Sequence, residues 1–434
     1  MSDYMFVLDS HLDAAQNRAV AEIQRLATDA GFTVWLTGGA MRDMLRGGPI
    51  RDLDFTVERD AVKIGRALAA VLGGTVVSED PLKRSVELEL TGGLCASVGN
   101  SRTEKYSRPG GKPQIAPATI HEDLARRDFT INAIALALNR GSRGLLVDPV
   151  NGQADLTSRE LRTTNSYAFF DDPSRLFRLI RFQHALGFTI APRTQSQLEN
   201  ALLEDYQKLA APGTLAREIR AVAMDPNVAP MLEALDAHGL LKSISPALTG
   251  AKLNAAGLAK FEKAAHSVLP ASNQGGWLAF LNVLVEKLNA KESAEAVRAF
   301  ELSPTEIAAW KKLEAQGKKL EAALKSAKVT RPSHVWQALD GVATDDILMV
   351  LYHSTQRVVQ DRIRAYFEKY LPMSQEVTPE EIAATGAKPG TPKFEKARLA
   401  LISARLNARP RKVVPEPEPV PPPPMAMANA RGRR

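Results

Sequence analysis

The chain alternates between two hydrophobic patterns over its first 140 residues. Apolar side chains recur three and four positions apart over residues 11–31, which predicts an amphipathic helix. The same spacing predicts a short helix over 41–45 and another helix over 61–72. Short apolar runs bounded by turn residues predict strands over 32–36, 53–57, 75–78, 85–90 and 94–98. Because strands and helices alternate, the sequence predicts a mixed α+β domain in this part of the chain.

Helical periodicity dominates from residue 149 to about residue 371 and predicts an all-helical region. Residues 378–392 break into turns, and a basic helix is predicted over 394–408. The last segment is rich in proline and carries no residues that could build a core. We therefore expect residues 410–434 to be disordered and extended.

Length and composition limit the class of protein. A chain of 434 residues is long enough for about two to four domains. The hydrophobic fraction of 44% and the charged fraction of 24% are typical of soluble globular proteins, and no apolar run is long enough to span a membrane. The first residues lack the basic segment of a secretory signal, so we expect a cytoplasmic protein. With Cys95 as its single cysteine, the chain cannot form an intrachain disulfide or a cysteine-cluster metal site.

The net charge of +7 is concentrated at the end of the chain. From Arg405 onward there are seven basic and two acidic residues, which account for +5 of the total. The preceding residues are therefore close to neutral. A nucleic-acid surface in that part must be a local patch rather than a global field.

The most informative segment covers residues 36–57 and reads LTGGAMRDMLRGGPIRDLDFTV. Gly38 and Gly39 have no Cβ, so a ligand can approach their backbone closely. Arg42 follows them and offers a planar fork that suits phosphate oxygens. Asp52 and Asp54 alternate along the predicted strand and therefore point to the same face.

Two such carboxylates repel each other unless a hard cation lies between them, which points to a Mg²⁺ site beside a triphosphate. A lone Asp-x-Asp also occurs as an ordinary acidic strand end, and the preceding glycines and arginine are what favour the metal site. The glycines do not match the GxGxxG pattern of dinucleotide-binding proteins. No Gly-Lys-Ser/Thr follows them, so they do not form a P-loop either.

A second segment, residues 122–139, reads EDLARRDFTINAIALALN. Its apolar half predicts a helix over 129–138, which Arg126, Arg127 and Asp128 precede. Such a charged group at the surface is most often a solvated helix start. Taken alone, this segment does not indicate a binding site.

A third segment, residues 169–188, reads FFDDPSRLFRLIRFQHALGF. Pro173 favours the first turn of a helix, with Asp171 or Asp172 as its cap. One stripe of that helix carries an arginine at every third position, namely Arg175, Arg178 and Arg181. The stripe is either an ion-paired face or a cradle for a polyanion, and charge alone does not separate the two.

In this order, GGxxRD with DxD, RRDFTINA and DDPSRLFRLIRF closely resemble the motifs of the class II nucleotidyltransferases. This family contains the CCA-adding tRNA nucleotidyltransferases and the bacterial poly(A) polymerases. The linking segment LVDPVNGQADLTSRELRTTN and the later segment EEIAATGAKPGTPKFEKARL also resemble the family. Clear similarity covers about residues 34–190 and three ordered motifs, and weaker similarity reaches the C-terminal end of the fold.

The resemblance implies an α+β fold class, in which a polymerase-β-like nucleotidyltransferase head with a mixed sheet precedes all-α neck, body and tail domains. The corresponding ranges are 1–140 for the catalytic head, 141–235 for the neck with its nucleotide-selecting helix, 236–371 for the body, 372–409 for a tail that contacts RNA and 410–434 for the Pro-rich basic segment.

The resemblance also implies roles for individual residues. Asp52 and Asp54 match the catalytic pair that binds Mg²⁺. Eight residues match the nucleotide-binding positions, namely Gly38, Gly39, Arg42, Arg127, Asp172, Arg175, Arg178 and Arg181. Among them, Asp172 and Arg175 match the pair that reads the incoming base in place of a nucleic-acid template. A carboxylate accepts from the amino group of cytosine or adenine, and a guanidinium donates to a ring nitrogen or carbonyl, a pattern that uracil and guanine do not match.

One position departs from the resemblance. Related polymerases carry a third acidic residue on the strand near 94–98. This chain reads LCASVGNSR from residue 94 onward and has no acid there. Catalysis is therefore expected to depend on Asp52 and Asp54.

The activity that the resemblance implies is template-independent addition of C, C and A to the 3′ end of tRNA, with CTP and ATP as substrates and Mg²⁺ as cofactor. Addition of the terminal A alone, addition of CC alone and poly(A) synthesis would use the same motifs. A catalytically silent RNA-binding protein and a nucleotidyltransferase acting on a small molecule or a protein are alternatives of a different kind. We expect tRNA as the partner, bound by local basic patches that include residues 388–412, with no membrane and no obligate protein partner.

Overall fold

A computed structural model describes residues 4–225, 227–269 and 276–408 of the chain. The expectation of an extended tail over 410–434 falls outside these ranges. Within them, no helix is both long and apolar enough to cross a bilayer.

The N-terminal region contains helices and strands in alternation, as the hydrophobic pattern predicts. Its helices are α1 Tyr4–His11, α2 Ala14–Asp29, α3 Gly38–Leu45, α4 Ala61–Leu72 and α5 Ile120–Ala125. Its strands are β1 Val34–Thr37, β2 Leu53–Val57, β3 Thr75–Asp80, β4 Ser85–Leu90, β5 Leu94–Asn100, β6 Arg102–Lys105, β7 Gln114–Pro117, β8 Ala135–Ala137 and β9 Leu146–Val147.

Seven of these strands form one mixed sheet in the order β3-β4-β5-β2-β1-β8-β9. β2 and β5 run parallel, and the other neighbouring strands run antiparallel. Strands β6 and β7 form a separate hairpin. This arrangement confirms the predicted α+β fold class with a mixed sheet in the head.

The two faces of the sheet differ in chemistry because side chains alternate along each strand. Val86 and Val98 point to the face that α4 covers, and Gly65 of α4 lies so close that a Cβ there would be 2.2 Å from Val86 Cγ2. The side chains between them, such as Glu87 and Ser97, point to the opposite face. This second face is therefore left for polar groups and for the site.

The prediction of a helix over 129–138 is wrong. The chain instead makes a 3₁₀ turn at Thr130–Asn132 and then forms β8, which pairs with β1 through Leu36 and Leu136. Every residue from 129 to 138 is buried, so apolar side chains face both sides and no helical alternation with polar residues remains. A short continuous apolar run fits a buried strand as well as a buried helix, and pairing with β1 decides between them.

The rest of the described chain is helical apart from β10 Glu160–Leu161 and β11 Thr189–Ile190, which pair in parallel. Its helices are α6 Gly152–Ser158, α7 Ala168–Asp171, α8 Arg175–Leu186, α9 Pro192–Leu203, α10 Pro212–Ala223, α11 Val228–Ala237, α12 Ala255–His266, α13 Trp277–Val285, α14 Ala290–Ala299, α15 Pro304–Lys325, α16 Pro332–Leu339, α17 Thr344–His353, α18 Arg357–Ala365, α19 Leu371–Gln375, α20 Pro379–Ala383 and α21 Pro392–Asn407. A π-helical turn, Tyr366–Tyr370, joins α18 to α19.

The predicted turns over 378–392 contain one short helix, α20, whose first turn is capped by Thr378. The predicted basic helix over 394–408 is present as α21. One large core extends from Met5 to Tyr352 and includes residues of the head and of the helices that follow it. A second core forms among α15 to α21 and contains Trp336. The domain bounds given above remain predictions.

Candidate active site

A cleft of about 930 Å³ lies between the polar face of the head sheet and the helices α8 and α10. All ten residues that the sequence indicates as site residues line it, namely Gly38, Gly39, Arg42, Asp52, Asp54, Arg127, Asp172, Arg175, Arg178 and Arg181. The three motifs are separated by up to about 120 residues in the chain. The fold therefore brings them into one site, while their individual roles remain predictions.

The carboxylate pair lies at the start of β2. Asp54 Oδ1 accepts from the Ser97 hydroxyl at 2.7 Å, and its Oδ2 accepts from the Gly39 backbone N–H at 3.2 Å. Asp52 lines the cleft and is exposed there. Enclosure by the protein raises the pKa of Asp52, and the charge of Asp54 adds to this effect. Neither carboxylate forms an ion pair with a lysine or arginine of the described residues.

Glycine is required at position 38 because β2 lies close to it. Gly38 has a φ of +67°, which favours glycine, and a Cβ there would lie 2.8 Å from Asp54 Oδ2. Gly38 also begins α3 directly after β1, so the N-terminus of this helix points toward the carboxylate pair. Partial positive charge at that N-terminus suits a phosphate group.

A third carboxylate, which the sequence did not identify, lies two strands away from Asp54. Ser97 of β5 is paired on one side with Asp54 of β2 and on the other with Glu87 of β4, so the three side chains form a row on the polar face. Burial raises the pKa of Glu87, and the charge of Asp54 adds to the shift. Within the described ranges, no three acidic, histidine or cysteine side chains converge closely enough to hold a metal ion together.

The signal for Glu87 was present in the sequence, because the alternation in SVELEL places Glu87 and Glu89 on the polar face of a strand. The sequence does not show which strands lie beside this one in the sheet. The resemblance indicates a third acid on 94–98, whereas Glu87 lies on the adjacent β4, opposite Ser97.

Arg42 is held in place rather than free. Its Nε and Nη2 donate to the two carboxylate oxygens of Asp43, each at 2.9 Å, and its Nη1 donates to Asn132 Oδ1 at 2.9 Å. The guanidinium also lies over the ring of Phe182, 5.2 Å from its centroid. These contacts fix its orientation toward the cleft.

Arg127 joins the head sheet to α5. It donates to Asp123 Oδ2 at 3.0 Å and to the hydroxyls of Thr37 and Thr56 at 3.2 and 3.0 Å. Its Nη1 donates to the backbone carbonyl of Asn132. The Arg-Arg-Asp segment is therefore a half-buried, ion-paired part of the cleft wall and not a solvated helix start.

The arginine stripe of α8 is an ion-paired face that also borders the cleft. Glu218 of α10 accepts from Arg178 at 2.7 Å and from Arg181 at 3.0 Å, and Arg178 also donates to Asp128 at 2.9 Å. Although burial opposes ionisation, Arg178 and Arg181 keep the pKa of Glu218 below its usual value. In the same way, Arg178 and Arg175 overcome burial and lower the pKa of Asp128 to about 2. Arg178 and Arg181 of the stripe are therefore ion-paired, and the stripe's role as a cradle for a polyanion stays a prediction.

The predicted base-reading pair lies where the neck meets the head. Asp172 Oδ1 accepts from the backbone N–H and the hydroxyl of Ser174, at 3.0 and 2.6 Å. Arg175 donates to the backbone carbonyls of Ala168 and Arg126, at 3.3 and 2.9 Å. The helix begins at Arg175, two residues later than expected from Pro173, because Asp172 bonds to Ser174 and closes a turn before α8.

The residues that the sequence did not identify are mainly the acids that orient the arginines. Glu218 is separated by 37 residues from Arg181, and Asp123 and Asp43 look like ordinary surface acids in the sequence. Asp43 and Asp123 lie within four residues of their arginines, whereas only the tertiary structure brings Glu218 to Arg178 and Arg181. No local spacing rule could have found Glu218.

Comparisons with known proteins agree with this geometry. Residues 34–162 match the family model of the poly A polymerase head domain. An A-adding tRNA nucleotidyltransferase of Halalkalibacterium halodurans is 37% identical over 209 residues, which cover 46% of this chain and 49% of the relative. A CC-adding tRNA nucleotidyltransferase of Deinococcus radiodurans is 37% identical over 216 residues, which cover 46% of this chain and 57% of the relative. The chain thus spans about half the length of these curated relatives.

A solved structure of a CCA-adding enzyme in its apo form superimposes with a TM-score of 0.56 at 23% identity, over 95% of this chain and 96% of the other. This likeness shows the fold of the described chain. The head fold is that of the solved CCA-adding enzyme. The matched head domain and the tRNA nucleotidyltransferases among the relatives make this chain similar to the class II nucleotidyltransferases.

Proposed function

We propose that this protein is a template-independent RNA nucleotidyltransferase that adds C, C and A to the 3′ end of tRNA from CTP and ATP. The observation that carries the proposal is the single cleft in which two unpaired carboxylates of the head face the Asp172–Arg175 pair of the neck. The relatives with this head domain are named as tRNA nucleotidyltransferases, which supports the same substrate class here.

Selection of the nucleotide falls to the neck. Arg175 is 7% exposed and is tethered to two backbone carbonyls, so its remaining donors point in a fixed direction. Asp172 Oδ2 has no hydrogen bond within the described residues and is available as an acceptor. A fixed acceptor beside a fixed donor matches the pairing edge of cytosine or adenine and not that of uracil or guanine.

The triphosphate fits the side of the cleft formed by β1, α3 and β8. There the N-terminus of α3 supplies partial positive charge and the Gly38–Gly39 backbone permits close approach. Arg42 is aimed into the same side by Asp43 and Asn132. Because these donors are oriented before the substrate binds, they stabilise charge on the leaving pyrophosphate without reorganisation.

Asp52 and Asp54 are suited to hold Mg²⁺. They are hard oxygen ligands at one end of β2, and no cationic side chain of the described residues pairs with them. Enclosure by the protein, followed by the charge of Asp54, raises the pKa of Asp52. When bound, Mg²⁺ would neutralise charge on the α-phosphate and lower the pKa of the attacking hydroxyl. Ser97 and the Gly39 N–H keep Asp54 oriented for this task.

The proposed reaction is attack of the RNA 3′-hydroxyl oxygen on the α-phosphorus of the nucleotide. A phosphodiester bond forms, the bond to the β-phosphate oxygen breaks, pyrophosphate leaves and the hydroxyl proton is released. The protein contributes positioning and preorganised charge, as is usual for phosphoryl-group transfer. A cytoplasmic place of action, where the sequence analysis puts the protein, belongs to this proposal.

The predicted RNA contact on the basic helix needs refinement. Within α21, Arg398 pairs with Asp340 at 3.5 Å and Arg405 pairs with Glu381 at 3.0 Å. These two arginines therefore stabilise the C-terminal core. Lys393 and Lys396 of the same helix form no ion pair in the described residues and are the better candidates for contact with tRNA phosphates.

A second function, addition of the terminal A alone, is supported to the same degree by one relative. The relative from H. halodurans, named as A-adding, is 37% identical to this chain, the same identity as the relative named as CC-adding. The cleft residues described above serve both reactions equally well. The two functions therefore differ in how many nucleotides are added and not in the chemistry.

A primer-extension assay with Mg²⁺ separates these functions. Three tRNA transcripts that end at the discriminator base, at C and at CC are offered ATP and CTP, singly and together. Addition of C, C and A followed by a stop would establish CCA addition, and A on the CC-ended transcript alone would establish A addition. Unlimited A on any RNA would indicate poly(A) synthesis, and no addition to any transcript would contradict the proposal.

A further inference from the structure

Arg217 of α10 is a cationic side chain of the cleft, and the proposed function assigns it no role. In the described part of the chain, every other lysine or arginine that lines the cleft donates to a protein acceptor. The Arg217 side chain is exposed into the same cleft and has no hydrogen bond or ion pair with the described residues. An exposed guanidinium in a polar cleft is suited to a ligand oxygen, above all a phosphate.

The position of Arg217 relative to the sheet indicates which phosphate it can bind. Arg217 and Glu87 of β4 line the same cleft, and the charge of Arg217 reaches that carboxylate. In the sheet order β4-β5-β2-β1, β4 is two strands from Asp54 and on the side away from β1. Since neighbouring strands lie about 4.8 Å apart, Arg217 faces a point about 10 Å from the carboxylate pair. The Gly38–Gly39 turn and Arg42 lie on the other side of Asp54.

The in-line geometry of phosphoryl transfer then indicates on which side of Asp54 the pyrophosphate leaves and from which side the RNA hydroxyl approaches. The attacking and leaving oxygens are roughly in line across the reacting phosphorus. If the pyrophosphate leaves toward Gly39 and Arg42, the RNA hydroxyl must approach from the side of β5 and β4. The first phosphate that follows this hydroxyl into the RNA, the 3′-terminal phosphodiester, therefore enters the region that Arg217 faces.

We propose that Arg217 binds the 3′-terminal phosphodiester of the RNA acceptor and so positions its hydroxyl for attack. This inference rests on the proposed function. It assigns Arg217 to the RNA, whereas Arg42, Arg178 and Arg181 serve the nucleotide. Arg217 is a positioning residue and not a catalytic one. Its neighbour Glu218 points instead toward α8, where it binds Arg178 and Arg181.

The test compares Arg217→Ala with Arg217→Lys and with the control Arg18→Ala. Arg18 is also exposed, but it lies on α2, which packs against α4 on the far face of the sheet. Binding of a CC-ended tRNA transcript is measured without nucleotide, and the KM values for RNA and for ATP are measured separately. We expect Arg217→Ala to weaken RNA binding about tenfold, with KM for ATP unchanged. Arg217→Lys should recover most of the binding, and Arg18→Ala should change neither value.

Two further readouts distinguish a phosphate contact from a general effect on the fold. The slope of log affinity against log salt should fall by about 0.7 in Arg217→Ala, as expected for one lost contact to single-stranded RNA. A transcript whose 3′-terminal phosphodiester is a neutral methylphosphonate should bind the wild-type protein about tenfold more weakly, and Arg217→Ala should show no further loss.

The outcomes separate this inference from the proposed function. An increase in KM for ATP instead of RNA would assign Arg217 to the nucleotide and overturn the inference, and so would unchanged values for both. If the wild-type protein adds no nucleotide, the proposed function fails. The binding and methylphosphonate measurements would still decide whether Arg217 contacts the RNA, because they need no turnover.

Discussion

The two walls of the cleft carry charge of opposite sign. The charged side chains form ion pairs within the protein on one wall and not on the other. On the head wall, Asp52, Asp54 and Glu87 come from sheet strands, and none of them forms an ion pair with a cationic side chain of the described residues. On the neck wall, Arg178 and Arg181 are already paired with the buried Glu218. The head wall thus keeps negative charge that a cation can complete. The neck wall instead presents arginines whose directions are fixed in advance.

The difference indicates how a site can select a ligand without a template. Free arginines would attract any polyanion, and their long side chains would lose rotamer freedom on binding. Arginines that are tied to buried acids contribute little net charge but present donors in fixed directions. Specificity then comes from geometry, while the uncompensated carboxylates supply the place for a metal ion.

Removing a carboxylate from the head wall should have the largest effect. In Asp52→Ala one of the two oxygen ligands for the cation is lost, so nucleotide addition should fall about a thousandfold. RNA binding should be largely retained, because the neck wall is untouched. Primer extension and RNA binding measure the two properties. Turnover above a few per cent of the wild-type rate (about 5% or more) would contradict the metal assignment.

Removing the central acid of the neck wall should cost stability. Glu218→Ala leaves the half-buried Arg178 and Arg181 without one of their partners, which should lower the free energy of unfolding by about 1–3 kcal/mol. Glu218→Gln, which keeps the shape, should lose less. Denaturant unfolding measures both variants against Glu233→Ala, an exposed position on α11. A loss equal to that of the control would show that Glu218 does not hold the neck wall together.

Acid should loosen the same wall by protonating Asp128. Its pKa is about 2 in the folded protein, below the ordinary value of 3.8, so the ionised form stabilises the fold. That contribution is complete above about pH 5 and is lost as the pH falls toward 2, and it amounts to roughly 2 kcal/mol. The difference in unfolding free energy between wild type and Asp128→Asn should shrink over this range. A difference independent of pH would contradict the assignment.

A smaller change should alter nucleotide choice. Asp172→Asn can keep the bonds from Ser174 but replaces the free acceptor with an amide donor. ATP and CTP should lose about tenfold in kcat/KM relative to UTP and GTP, which offer carbonyl acceptors. The matched control is Asp171→Asn, because Asp171 is the adjacent acid and does not line the cleft. Equal loss for all four nucleotides would indicate a structural role for Asp172.

The smallest expected effect is a gain in stability on the head wall. Because the pKa of Asp52 is raised in the folded protein, its charge opposes folding once the pH exceeds that pKa. Asp52→Asn should therefore be slightly more stable than wild type at pH 7 without divalent ions. Water in the cleft screens the charge, so the gain should be about 0.5 kcal/mol or less. Thermal melting with and without Mg²⁺ would show it, and a loss of stability would contradict the account.

The two walls also differ in how far the sequence predicts them. β2, β4 and α4 lie at the predicted bounds, and Gly38, Asp52 and Asp54 form one local motif whose spacing carries the chemistry. The neck wall depends on contacts between distant segments, so Glu218 and Asp128 were not recognised as partners of Arg178. β8 was predicted as a helix because a fully buried run has no polar face from which to read a period.

The central claim is that the cleft selects and adds nucleotides without a template. The most direct measurement offers the wild-type protein a CC-ended tRNA transcript with Mg²⁺ and each of the four nucleoside triphosphates in turn. We predict that A is added once and that U and G are excluded almost completely, since Asp172 and Arg175 match neither base. Equal incorporation of all four nucleotides, or of none, would contradict the claim.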